Sequence, residues 1–127
     1  MGPCRHGFLA PRVLIIEDES IIATIVVDLL AEEGYEVVRM HNGRSALDML
    51  QVWTPCLILL DIMMPVMDGQ RFLRELERLE HLVAVPVVVV SGAGGPTLVN
   101  LGMRVADVLR KPFDLDHLVA VVARLAT

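Results

Sequence analysis

The stretch Cys56-Leu57-Ile58-Leu59-Leu60-Asp61 decides the reading of this chain. Five apolar residues end abruptly in a carboxylate. Pro55 stands before the run, and Pro65, Asp68 and Gly69 follow soon after it. A short apolar run bounded by turn residues reads as a strand buried on both faces. Such strands belong to parallel sheets, where ligands bind in the crevice beyond the strands' carboxyl ends. Asp61 therefore stands where chemistry is usually done.

Working outward, three more strands end in the same manner. Val13-Leu14-Ile15-Ile16 runs into Glu17-Asp18-Glu19, and Pro86-Val87-Val88-Val89-Val90 runs into Ser91-Gly92. Val105-Ala106-Asp107-Val108-Leu109 leads into Arg110-Lys111-Pro112-Phe113. If these strands are parallel, one edge of the sheet gathers Glu17, Asp18 and Asp61 with the Ser91 hydroxyl and the Lys111 ammonium. Lys111 is the single lysine among 11 basic residues. At a strand end its compact point charge suits a phosphate.

Helical patterns alternate with these strands. Ile22, Ile25, Val26, Leu29 and Leu30 repeat at helical spacing, with Ser20 placed to cap the helix and Gly34 to stop it. Tyr35 to Met40 reads as a further strand, followed by a turn at Asn42-Gly43 and a helix lined by Ala46, Leu47 and Leu50. A third helix follows Gly69, with Phe72, Leu73, Leu76 and Leu79 inward and its arginines and glutamates outward. A short fourth helix is expected between Pro96 and Met103. The last runs from about Asp114 to Leu125, with Leu115, Leu118, Val119 and Val122 inward. Five βα units with short connections predict an α/β fold: a doubly wound, five-stranded parallel sheet with right-handed crossovers and five helices. Residues 1–11, containing Gly2, Pro3, Gly7 and Pro11, are expected as a flexible extension ahead of one domain over 12–127.

Bulk composition excludes several classes of function. The net charge of −5 and the lack of a basic stripe argue against nucleic-acid binding. The longest uncharged stretch near the middle, running from Leu82 up to Arg104, is broken by prolines and glycines and makes no membrane helix. Nothing at the start resembles a signal peptide, which predicts a cytoplasmic protein. Cys4 and Cys56 lack metal-ligand spacing and are not expected to pair with each other.

Three carboxylates drawn together repel one another, and such a cluster persists when a cation occupies it. An all-oxygen donor set favours a hard ion, and a small site that keeps waters suits Mg²⁺ better than Ca²⁺. A hydroxyl and an ammonium opposite the metal clamp the oxygens of a phosphoryl group, leaving one carboxylate to attack in line. The chain has no Gly-x-x-x-x-Gly-Lys loop for a nucleotide phosphate. None of its 4 histidines falls where it would complete a Ser/His/Asp arrangement.

Four ordered segments carry a family resemblance: Val13 to Glu19, Leu59 to Gly69, Val88 to Ser91, and Lys111-Pro112-Phe113. From roughly Arg12 to Leu125 the chain resembles the receiver domain of two-component response regulators. The resemblance implies a flavodoxin-like sheet of strand order 2-1-3-4-5. It implies that Asp61 accepts a phosphoryl group from a phosphohistidine on a histidine kinase or histidine phosphotransfer protein. Asp18, Asp61 and the Met63 carbonyl would bind Mg²⁺, with Glu17 assisting directly or through water. Ser91 would turn its hydroxyl to the phosphoryl group and Lys111 would pair with it. Pro112 would follow a cis peptide bond that aims Lys111 into the pocket. Such a domain is a signalling element and not an enzyme, its only chemistry being its own phosphotransfer and dephosphorylation.

Two features depart from the family pattern. Where relatives usually place Tyr, Phe or His, three residues before the lysine, this chain has Val108, a stiff β-branched residue with no ring to bury. Met63 and Ala93 offer nothing to orient an attacking water, which predicts a long-lived phosphoryl group. Leu98, Val99, Leu101 and Met103 either pack inward or offer a homodimer surface over 96–113. Competing functions remain a phosphorelay carrier, a phosphorylation-independent receiver-like interaction module, an aspartyl-nucleophile phosphatase and a flavin protein. The phosphatase reading lacks the second Asp two positions after Asp61, and an acidic pocket would repel a flavin phosphate.

Overall fold

In a computed structural model, residues 10–63, 67–92 and 104–126 are described. Five parallel strands, β1 (Arg12–Ile16), β2 (Glu36–Met40), β3 (Leu57–Asp61), β4 (Val87–Ser91) and β5 (Val105–Arg110), lie in the order 2-1-3-4-5. Every residue of the central strands β3 and β4 is buried. Their continuous apolar runs meet this demand, because helices cover both faces of the sheet. The expected strand order and doubly wound fold are both present.

Four α-helices occur among the described residues: α1 (Ser20–Glu32), α2 (Gly43–Leu50), α3 (Gly69–Leu76) and α4 (Leu115–Leu125). The helix expected between Pro96 and Met103 lies outside them, as do Leu98, Val99, Leu101 and Met103 of the expected dimer surface and nearly all of the 1–11 extension. One core packs α2 and α3 against Leu14, Ile16, Ile58, Leu60 and Val89. The other packs α1 and α4 against Val13, Ile15, Leu57, Leu59 and Val90. Alternate residues of each strand thus serve opposite cores, as the two-residue period of a strand requires.

Caps set where the helices begin. Asn42 Oδ1 accepts from Ser45 N at 2.9 Å, Asp68 Oδ1 from Arg71 N at 2.8 Å and Asp114 Oδ1 from Asp116 N at 2.8 Å. Each such cap contributes about 1 kcal/mol. Ser20, expected to cap α1, is instead its first residue; Glu19 holds the cap position and makes no side-chain cap bond. Gly34 ends α1 as expected, at φ +98°, where a side chain would be strained.

Four inward assignments need correction. Ile25 is 47% and Leu115 41% exposed, and Val119 is only half-buried, while Val121 and Ala23 are buried. Helix α3 ends at Leu76, so Leu79 reaches the core only partly, from the turn beyond. Cys56 is buried. It lies at the entrance to β3, where its N–H donates to the Arg12 carbonyl at 2.7 Å, beside the start of β1. Cys4, the other cysteine of the chain, is outside the described residues.

Candidate functional site

The parallel arrangement brings the carboxyl ends of β1, β3, β4 and β5 to one edge. There one oxygen from each of Glu17, Asp18 and Asp61 lies within 4.8 Å of the others. Glu17 and Asp61 are buried at 4% and 6% exposure, whereas Asp18 opens to solvent. Lys111 Nζ enters the cluster from the end of β5, 3.4 Å from Glu17 Oε1 and 3.5 Å from Asp61 Oδ2. The peptide bond that follows, to Pro112, is cis.

Asp61 is fixed from its other side. Its Oδ1 accepts from Met63 N at 3.0 Å, while the Met63 side chain stands in solvent. The loop after Asp61 closes on itself through Gly69 N donating to the Ile62 carbonyl at 3.0 Å. Only glycine fits at 69, because a Cβ there would lie 2.5 Å from Ile62 Cδ1 and 2.7 Å from Ile62 Cα.

Electrostatics follow from the crowding. Burial, then a hydrogen bond to Asp61 and the Asp61 charge, push the Glu17 carboxyl up from 4.5 to about 7. Lys111 moves up as well: burial opposes its charge, but the Glu17 and Asp61 carboxylates more than offset that. The donors are all oxygen and converge on one point, a set that fits a hard divalent cation such as Mg²⁺.

Ser91 is fully buried at the end of β4. A register irregularity between Val87 and Val88 sets Ser91 opposite Arg110 on β5. The Ser91 hydroxyl donates to the Gly92 carbonyl at 3.3 Å and accepts from Arg110 Nη1 at 3.3 Å. Among the described residues, none of its hydrogen bonds reaches Asp61. Val108 packs half-buried against the core of α2 and α3.

All five side chains expected from the sequence thus converge on this edge, with Met63 contributing its backbone N–H. Two residues were missed. Arg110 reaches the Ser91 hydroxyl, and Arg39 on β2 donates from Nε and Nη2 to the Glu17 carbonyl at 3.0 and 2.8 Å. Beside the cluster an open apolar groove runs between α1 and the start of α4, lined by Ile22, Ile25, Val26, Pro112, Phe113 and Leu115. No helix among the described residues is long and apolar enough to cross a membrane.

The doubly wound sheet of order 2-1-3-4-5 places the chain among flavodoxin-like α/β domains, here with acids, a hydroxyl and an ammonium at the carboxyl edge, and comparison with known proteins narrows the class. Residues 13–123 match the response regulator receiver domain, and the chain belongs to that family. It is 39% identical to a probable transcriptional regulatory protein of Picosynechococcus sp., an alignment covering 86% of this chain and 46% of that protein. Regulatory protein AtoC of Escherichia coli is 33% identical, over 89% of this chain and 24% of that protein. The chain therefore spans from about a quarter to about half the length of these relatives. The signal receiver domain of a signal transduction histidine kinase from Syntrophus aciditrophicus superposes with a TM-score of 0.84 at 31% identity, covering 92% of this chain and 90% of that one.

Proposed function

We propose that residues 12–127 form a phosphoacceptor domain, in which Asp61 takes a phosphoryl group from a phosphohistidine and so switches or relays a two-component signal. The observation that carries this reading is the buried Asp61, held between the Met63 N–H and the Lys111 ammonium inside a cluster of three acids. In the reaction an Asp61 carboxylate oxygen attacks phosphorus in line. The O–P bond forms as the P–N bond breaks, and the departing imidazole keeps the electron pair and takes up a proton.

Glu17, Asp18, Asp61 and the Met63 carbonyl would hold Mg²⁺, which when bound offsets negative charge on the phosphoryl oxygens. Lys111, already 3.5 Å from Asp61, supplies a fixed positive charge on the same side. Ser91 donates its hydroxyl to a phosphoryl oxygen after releasing the Gly92 carbonyl. Catalysis is confined to the domain's own phosphorylation and dephosphorylation, with no substrate turned over.

The donor is a histidine kinase or histidine phosphotransfer protein in the cytoplasm, and the apolar groove beside Lys111 offers its surface a seat. Incubation with acetyl phosphate, with and without Mg²⁺, followed by intact-mass measurement tests the proposal. A Mg²⁺-dependent gain of one phosphoryl group that Asp61→Asn abolishes is expected. No gain in either condition would replace it with a phosphorylation-independent interaction module.

A further inference from the structure

Glu17 and Asp18 are neighbours in sequence, and in an extended strand successive side chains point to opposite faces. Yet one oxygen of each lies within 4.8 Å of the other and of Asp61. The chain must therefore leave the extended path at the peptide unit joining them, and something must hold that peptide in its turned position. The β1–β2 pairing does not extend that far: its last register pair is Ile16 with Met40, and its last bond is from Glu17 N to the Met40 carbonyl, at 3.1 Å. The Glu17 carbonyl lies beyond the ladder.

Arg39 takes over at that point. It sits on β2 opposite Ile15, and its guanidinium directs Nε and Nη2 together onto the Glu17 carbonyl at 3.0 and 2.8 Å. Two N–H donors from one rigid plane restrict both the position of that oxygen and the tilt of its peptide. Rotation of the Glu17–Asp18 peptide would swing both carboxylates off their common point. Glu17 Oε2 also accepts from Glu19 N at 3.3 Å, so the same short segment is tied at both ends.

We propose that Arg39 is a positioning residue for the divalent-cation site: by clamping the Glu17 carbonyl it presets Glu17 and Asp18 for metal, without touching metal or phosphoryl group. This rests on the functional reading above. Its distinctive consequence is a change in metal affinity that exceeds any change in the rate at saturating metal.

Calorimetric titration of Mg²⁺ into the wild type, Arg39→Ala and Arg39→Lys at pH 8 is the test, with phosphorylation by acetyl phosphate followed across the same Mg²⁺ range. Arg39→Ala is expected to weaken Mg²⁺ binding by roughly three- to tenfold, the scale of one net hydrogen bond. It should raise the half-saturating Mg²⁺ concentration more than it lowers the saturating rate. Arg39→Lys keeps the charge but loses the planar fork that aims two N–H groups at one oxygen, and should recover affinity in part. Equal Mg²⁺ affinity in wild type and Arg39→Ala, or full recovery in Arg39→Lys, would overturn the role of the fork. Should Arg39→Ala not fold, the wild type and Arg39→Lys comparison decides the matter alone. Absence of Mg²⁺ binding by the wild type would instead overturn the functional reading itself.

Discussion

In metal-free buffer at pH 8, Asp61→Asn should make the protein more stable. The Glu17 carboxyl rises from 4.5 to about 7, with burial the largest cause and the Asp61 hydrogen bond and charge next. That whole shift corresponds to roughly 3 kcal/mol against the charged form, of which Asp61 accounts for on the order of 1–2. The substitution also removes the Lys111–Asp61 pair, at 3.5 Å, but Lys111 keeps Glu17 at 3.4 Å. Lys111 is partly exposed, so that loss is worth about 0.5 kcal/mol. The net gain is about 1 kcal/mol, or roughly 3–5 °C in Tm for a domain of this size.

The sign depends on pH. The folded state holds a proton on Glu17 that the unfolded state releases near 4.5. That stabilisation is fully present below 4.5 and is lost as pH rises through about 7. At pH 5 Glu17 is already neutral, so the Asn variant should gain nothing there. Thermal unfolding in EDTA at pH 8 and pH 5 measures both arms. A variant no more stable than wild type at pH 8, or equally stabilised at both pH values, would refute the reasoning. Added Mg²⁺ should reverse the order, since a ligand at a hundred times its Kd stabilises the wild type by about 2.7 kcal/mol.

Gly69→Ala would force a Cβ to within 2.7 Å of the Ile62 backbone and should cost about 1–3 kcal/mol in denaturant unfolding. An unchanged midpoint would show that the loop after Asp61 yields freely. Arg110→Ala frees the Ser91 hydroxyl from one of its two partners and should speed phosphorylation by acetyl phosphate about fivefold, the scale of one hydrogen bond; an unchanged or slower rate would contradict this. Met63→Asn places an amide on a side chain that stands in solvent two residues after Asp61, and it should shorten the phosphoryl lifetime. Loss of the added mass with time after donor removal is the readout, and equal lifetimes would sink the idea.

The acids were legible because a buried apolar run has to end, and the first residues past its end are the ones free to be charged. Leu57 to Leu60 fill both faces of the sheet, so Asp61 marks the edge as clearly as a sheet boundary. The same holds for Glu17 after β1 and Ser91 at the end of β4. Arg39 and Arg110 were not legible for the opposite reason. Each acts by reaching sideways to a neighbouring strand, and no periodicity within its own strand records that reach. The irregularity between Val87 and Val88 that sets Ser91 opposite Arg110 likewise leaves no mark in an apolar pattern.

The exposed apolar residues mark where periodicity fails in another way. Ile21 and Ile25 on α1 and Leu115 on α4 are 75%, 47% and 41% exposed, and all three lie in the opening turns of helices that follow β1 and β5. A helix that follows a parallel strand begins at the strand's carboxyl edge, so its opening turns overhang the sheet. Side chains there continue the inward stripe but find little to pack on. This is the edge that holds Asp61 and Lys111, and the groove lining joins the two: Ile22, Ile25, Phe113 and Leu115 stand beside Lys111. Apolar surface left open gives up roughly 25 cal/mol for every Å² that a partner would cover. On the proposed function, a donor protein that buried this rim would gain binding energy where its phosphohistidine must be placed. Under that proposal, contact with the partner and in-line geometry at Asp61 would be set by one sheet edge, and truncating Ile25 and Leu115 to Ala should slow transfer from a protein donor while leaving acetyl phosphate transfer unaffected.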